Sequence, residues 1–150
     1  TPLPTATTIP AMPMQRLIAS SIGLDTKVVE APIINGEWTV PKFVAGHLLG
    51  TAQPLEGSNV VLSGHVQSIS SGNVFARIGE LKIGDAIIVY TRATVITYVV
   101  SQNRVVANND VSVVRPTPEE ILTLITCTGR WLPLQRDYDS RTVVIATRQS

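Results

Sequence analysis

Cysteine is almost missing from this chain. Cys127 stands alone among 150 residues, which excludes an internal disulfide and any multi-cysteine zinc site. Charge of either sign is scarce too: 15% of residues are charged, with 12 basic against 11 acidic for a net +1. So balanced a surface excludes an electrostatic grip on nucleic acid or anionic lipid. Aromatics make up 5%, and no stretch approaches the ~18 consecutive apolar residues of a membrane span. What is present is globular. A 44% hydrophobic share over 150 residues suits one domain, able to bury about 68–70% of its unfolded surface without a staple. The single thiol of such a soluble domain is either inert packing or the chemistry itself.

Residues 1–15 stand apart, with no charge, four prolines and four threonines. Proline fixes φ and withholds an amide donor, so the segment favours an extended spacer over a packed element. Composition fits a spacer beside a membrane or wall anchor as well as an ordinary chain end. With no initiator methionine, the sequence reads as a fragment or a processed form. Residues 16–150 form the expected domain. Short β-branched runs cut by Gly, Pro and Asn fall at 18–24, 26–30, 38–40, 59–65, 86–90, 94–101, 110–115, 122–127 and 142–147. About eight strands at this spacing predict an antiparallel barrel or sandwich. Helical signal is thin: Val74, Ile78 and Leu81 fall at helical intervals, and Thr117-Pro118-Glu119-Glu120 has the form of a capping box.

Cys127 ends the run Leu122-Thr123-Leu124-Ile125-Thr126-Cys127. Alternation puts Leu122, Leu124 and Thr126 on one face and Thr123, Ile125 and Cys127 on the other. The strand is expected to stop at Thr128-Gly129, leaving the thiol beside an irregular loop. A free cysteine is commonly a small buried hydrophobe, and a lone histidine is commonly structural. Yet His65 also ends an apolar strand, behind Gly64, whose missing side chain lets another group approach closely. If the two strands are neighbours, thiol and imidazole can act as nucleophile and general acid/base. An Arg fork could bind a developing oxyanion; spacing alone does not choose among Arg130, Arg136 and Arg141. His47 reads as structural or solvent-facing.

Several motifs in order resemble the sortase family. Thr123-Leu124-Ile125-Thr126-Cys127, followed fourteen positions later by Arg141-Thr142-Val143-Val144, is similar to its Thr-Leu-x-Thr-Cys strand and the Arg opening its last strand. Val61-Leu62-Ser63-Gly64-His65 resembles the family's histidine motif, and residues 72–81, with Val74-Phe75, the turn of helix after it. Gly84-Asp85-Ala86-Ile87 resembles the Gly-Asp-x-Ile turn. Trp38-Thr39-Val40-Pro41 and Gly50-Thr51-Ala52-Gln53-Pro54 resemble segments of sortases outside the prototype class A.

The resemblance, spanning residues 18–147, implies a mostly β, eight-stranded sortase-type barrel with one or two short helices. It implies a surface cysteine transpeptidase that cleaves a Leu-Pro-x-Thr-Gly-type sorting motif of secreted proteins between Thr and Gly. The acyl group passes through a thioacyl enzyme to an amine of a peptidoglycan precursor or a pilin lysine. By motif, Cys127 is the nucleophile, His65 the acid/base and Arg141 the oxyanion support. Thr126 lines the substrate groove, and Trp131, in the loop 128–140, either contacts substrate or covers a barrel edge. No cofactor is implied, nor a nucleic-acid partner. The only acidic residue shortly before His65 is Glu56, against the six to eight oxygens calcium takes, so no metal site is expected. The family's place is the outer face of the bacterial cell membrane. There the proline-rich start would be the spacer of an N-terminal anchor outside this sequence, the chain's only link to a membrane. Two other readings stay open on the residues: another cell-wall cysteine peptidase or L,D-transpeptidase, although Ile-Thr-Cys-Thr is not the Ser-x-Gly-Cys setting of the latter, and a non-catalytic β-barrel binding module.

Overall fold

The computed structural model describes residues 13–35, 37–66, 70 and 72–149; the proposed spacer lies outside them up to Met12. Ten strands follow in chain order: β1 (Met14–Ala19), β2 (Leu24–Ala31), β3 (Ile33–Ile34), β4 (Glu37–Trp38), β5 (Ala45–Leu48), β6 (Asn59–Ser63), β7 (Ala86–Thr91), β8 (Val95–Ala107), β9 (Ile121–Leu132) and β10 (Asp137–Arg148). Eight close into a barrel in the order β1-β2-β5-β6-β9-β10-β8-β7, and β3 and β4 form a separate ribbon. Among the described residues, closure leaves the barrel itself no unpaired edge for another chain to template on.

The expected eight-stranded barrel is therefore present, although two of its seams, β2–β5 and β6–β9, are parallel. Parallel neighbours need a crossover. The β3–β4 ribbon lies in one, and the β7–β8 hairpin in the other. This long-range pairing does not show in local periodicity.

Strand alternation sorts the wall into two faces. Leu17, Val60, Leu62, Ile87, Val89, Tyr98, Leu122, Leu124 and Val144 pack inside with Phe75 and Ile78, so the barrel is filled rather than hollow. Outside, Ala31, Leu48 and Val61 make a smaller cluster with Val114 and Ile125. The segment covering this outer patch was expected to be a strand at 110–115. It forms a 3-10 turn instead, Val111–Val114, because the Asp110 side chain accepts from the Ser112 amide at 3.0 Å and caps the turn. Asn59, at the start of β6, ties it down by donating to the Val113 and Arg115 carbonyls, 2.9 Å each.

Other local expectations shift as well. Helical spacing at 73–81 yields turns and one 3-10 segment, Ile78–Glu80. The capping-box segment at 117–120 is no helix, since Glu120 turns its carboxylate to the Leu55 and Gly57 amides and the Tyr98 hydroxyl. The strand carrying Cys127 does not end at Gly129 but runs on to Leu132, and β10 begins at Asp137, four residues before Arg141. The expected 128–140 loop is thus a long hairpin with a short turn. Gly129 sits at φ +88, where an extra β9 residue bulges and the register against β10 shifts between Tyr138 and Ser140. Left-handed backbone of this kind is what glycine tolerates best.

Candidate active site

Strand register brings the two candidate side chains to neighbouring positions. β6 and β9 run parallel with Ser63 opposite Ile125. Continuing that register for two residues sets His65 beside Cys127, both on the outward-facing parity of Ile125. Three backbone-directed bonds hold the exit of β6. The Gly64 amide donates to the Ile125 carbonyl (3.3 Å), the Phe75 amide donates to the His65 carbonyl (3.0 Å), and the buried Thr126 hydroxyl donates to the Gly64 carbonyl (2.8 Å). Gly64 permits this crowding: a Cβ there would lie 2.7 Å from Val74 and 2.8 Å from Phe75. The close approach expected of this glycine is the packing of Phe75, which is wholly buried.

Cys127 and His65 share a cavity of about 410 Å³ with Val66, Trp131, Arg136, Asp137 and Tyr138. Cys127 is half-buried and unpaired. His65 Nε2 donates to the Val40 carbonyl at 3.3 Å. Burial, first, pushes the Cys127 thiol above its ordinary range; Arg141 pulls it down and Asp137 pushes it up. Desolvation disfavours the anion, so the free site favours the un-ionised thiol. A larger cavity of about 660 Å³ lies between Trp38, Thr51, Glu56 and Asn59. Its lining among the described residues holds neither cysteine nor histidine.

Arg141 is paired with Cys127 directly across β9–β10. Its guanidinium is held by Asp137, with Nη2 donating to Oδ1 at 3.0 Å and Oδ2 at 2.8 Å. Nη1 donates to the Ser140 and Tyr138 carbonyls at 3.0 and 3.3 Å. Arg136, at φ +53 in the hairpin turn, lines the cavity itself. The Arg130 amide is bonded to Asp139 at 3.0 Å. Trp131 is half-exposed and meets Tyr138, its cross-strand partner, edge to face at 5.2 Å. Thr126 lies under the site, 5% exposed, with its hydroxyl already donated.

His47 is buried, with Nδ1 2.8 Å from Glu30 and Nε2 2.7 Å from the Ala52 carbonyl. It is structural, one of the two alternatives for it. Sequence reading passed over Asp137 and the Val40 carbonyl. The Asp lies four residues from Arg141, a spacing that on a regular strand separates side chains by roughly 13 Å. Only the bulge signalled by Gly129 could have hinted at their contact.

A thiol within β9 and an imidazole just past the end of β6, opening to one cavity on the wall of a closed barrel, are parts that a cysteine acyl-transfer enzyme uses. Comparison with known families gives the same class. Residues 17–149 match the Sortase domain model, and the chain belongs to the sortase family, the cysteine transpeptidases. No curated protein sequence matches it. Among solved structures, it is similar to sortase C-1 of Actinomyces oris, with 26% identity and a TM-score of 0.71 over 96% of this chain and 77% of that one. It is likewise similar to the Clostridium perfringens sortase D5 transpeptidase, with 25% identity and a TM-score of 0.71 over 90% and 78%. A lid mutant of Corynebacterium diphtheriae sortase A shares the fold at 24% identity, with a TM-score of 0.73 over 90% and 69%. The C and D relatives fit a member outside the prototype class. No helix among the described residues is long and apolar enough to cross a membrane.

Proposed function

We propose that this sortase cleaves a C-terminal sorting motif of the Leu-Pro-x-Thr-Gly type between Thr and Gly and passes the acyl group to an amine. The observation that carries this reading is the cavity shared by Cys127 and His65. The Cys127 thiol gives its proton to His65 as its sulfur attacks the Thr carbonyl carbon, and the carbonyl electron pair moves to the oxygen. When that oxyanion collapses, the C–N bond breaks and the departing Gly amine takes a proton from the His65 imidazolium, leaving a thioester. An incoming amine then attacks the thioester carbon, gives its proton to His65 and displaces the Cys127 sulfur. Imidazole suits both transfers because its ordinary pKa lies near neutrality.

In this scheme Arg141 supports the oxyanion from across the hairpin, and Trp131 walls the acyl site. Thr126 shapes the groove floor through Gly64. The natural donors would be secreted proteins bearing the motif, and the acceptor a peptidoglycan precursor or a pilin lysine. The enzyme would work on the outer face of the bacterial cell membrane behind an N-terminal anchor, with residues 1–15 as the spacer. A screen of Leu-Pro-x-Thr-Gly and Leu-Ala-x-Thr-Gly peptides against varied amines, read by product mass, tests donor and acceptor together. The first motif is expected to yield a Thr–amine product. Products cut at another bond, or none from either peptide with any amine, would contradict the reading.

A further inference from the structure

Oxyanion support requires a donor set in place before charge develops, because reorienting it during the reaction forfeits the benefit. A free arginine side chain is poorly suited to that, having much rotamer entropy to lose. Here the side chain is not free. Arg141 is only 20% exposed, and its Nη atoms are committed to both Asp137 oxygens and to the Ser140 and Tyr138 carbonyls. Nη2 is shared between the two carboxylate oxygens while Nη1 is held by the two carbonyls, so the guanidinium is tied at two of its nitrogens. Asp137 also reaches the cavity that holds Cys127 and His65. Thus one carboxylate touches both the arginine and the reaction space.

We propose that Asp137 is the positioning residue of Arg141, its carboxylate setting the guanidinium beside Cys127 before substrate arrives. The inference rests on the transfer reading above. A second consequence of the geometry makes the role measurable, since Asp137 and Arg141 act on the Cys127 thiol with opposite signs. The charged and titratable groups around that thiol are His65 from the β6 exit, Arg136, Asp137 and Tyr138 from the hairpin, and Arg141.

The test compares Asp137→Asn, Asp137→Glu, Arg141→Gln and the Asp137→Asn/Arg141→Gln double variant, each confirmed folded by thermal melting. Asp137→Asn is expected to lower kcat/KM on a sorting peptide about 10- to 100-fold, chiefly through kcat. Asp137→Glu keeps the charge and restores most of the activity. The double variant is no slower than Arg141→Gln alone, because residues acting as one unit are non-additive. Iodoacetamide alkylation of Cys127 against pH gives a readout that needs no peptide. Its midpoint moves down in Asp137→Asn and up in Arg141→Gln, although both variants lose turnover. Unchanged or raised kcat/KM in Asp137→Asn, additive losses in the double variant, or an alkylation profile unmoved by Asp137→Asn overturns the proposal. Turnover by a Cys127→Ala control would instead overturn the transfer reading itself.

Discussion

At the scale of single residues, the chemistry turns on how three neighbours treat one thiol. Burial disfavours the Cys127 thiolate, and the nearby cation only partly offsets this. The folded value is raised, so the un-ionised thiol is favoured by folding. Its contribution to stability is present below the ordinary thiol value and lost as pH rises through the folded one. Alkylation of the free enzyme is therefore expected to be slow at pH 7 and to reach half its maximum above the ~8.5 of an ordinary cysteine. A full rate at pH 7 would show a resting thiolate instead. On the proposed reading, substrate promotes ionisation and His65 takes the proton. His65→Ala and Arg141→Lys are each expected to lower turnover severely, by roughly 10²–10³-fold, the usual cost of one misplaced donor or proton carrier. Steady-state kinetics on a sorting peptide checks both.

At the scale of elements, the β9–β10 hairpin and the β6 exit supply the geometry. Gly129 holds the bulge at φ +88, and a Cβ there would run into Asp139 and Ser140. Asp139 in turn accepts from the Arg130 amide and the Ser140 hydroxyl at 3.0 and 2.8 Å. Gly129→Ala should strain this corner by about 1–3 kcal/mol and shift the approach to Asp137 and Arg141. Turnover is expected to fall about 10- to 100-fold, while thermal melting stays cooperative. Unchanged kcat/KM would show that the bulge does not set the arginine. Gly64→Ala meets Val74 and Phe75, so overpacking of about 1–3 kcal/mol is expected in a melting curve, along with displacement of His65.

These elements also mark where the sequence could be read and where it could not. The face assignment of Leu122, Leu124 and Thr126 against Ile125 and Cys127 was legible, because period-2 alternation is a local property. The runs leading into His65 and Cys127 were legible as strands, although Cys127 lies within its strand and not at its end. The parallel β6–β9 seam that joins them was not, since it spans some sixty residues and follows from barrel closure. The hairpin was misjudged because Gly129 reads as a stop although it is a bulge within the ladder. The Asp110 cap and the turned-in Glu120 override β-type and helix-type patterns that look sound locally.

At the scale of the whole molecule, distant parts of the barrel are tied by a few buried polar contacts. Glu120 is one: its side chain is 5% exposed, accepts from the Tyr98 hydroxyl at 2.6 Å and the Leu55 and Gly57 amides, and lies 3.6 Å from Arg148. Burial and then this carboxylate push the Tyr98 phenol far above its ordinary range, so the pair stays as phenol and acceptor. Glu120→Ala leaves the buried hydroxyl without its acceptor, at a cost of about 2 kcal/mol. That corresponds to roughly 4–8 °C in Tm for a domain of this size. The variant is expected to keep near-normal kcat/KM below its melting point, because the contact lies away from the Cys127 cavity. The closed barrel thus carries the thiol on β9, the arginine on β10 and the imidazole just past the end of β6.

The account's central claim is that Cys127 carries the acyl group. Its most direct test is intact-protein mass spectrometry after mixing the enzyme with a Leu-Pro-x-Thr-Gly peptide in the absence of added amine, followed by peptide mapping. The account predicts an adduct of the acyl half of the peptide on Cys127, discharged by added amine and missing from Cys127→Ala. An adduct on another residue, or peptide cleavage by Cys127→Ala, would contradict it.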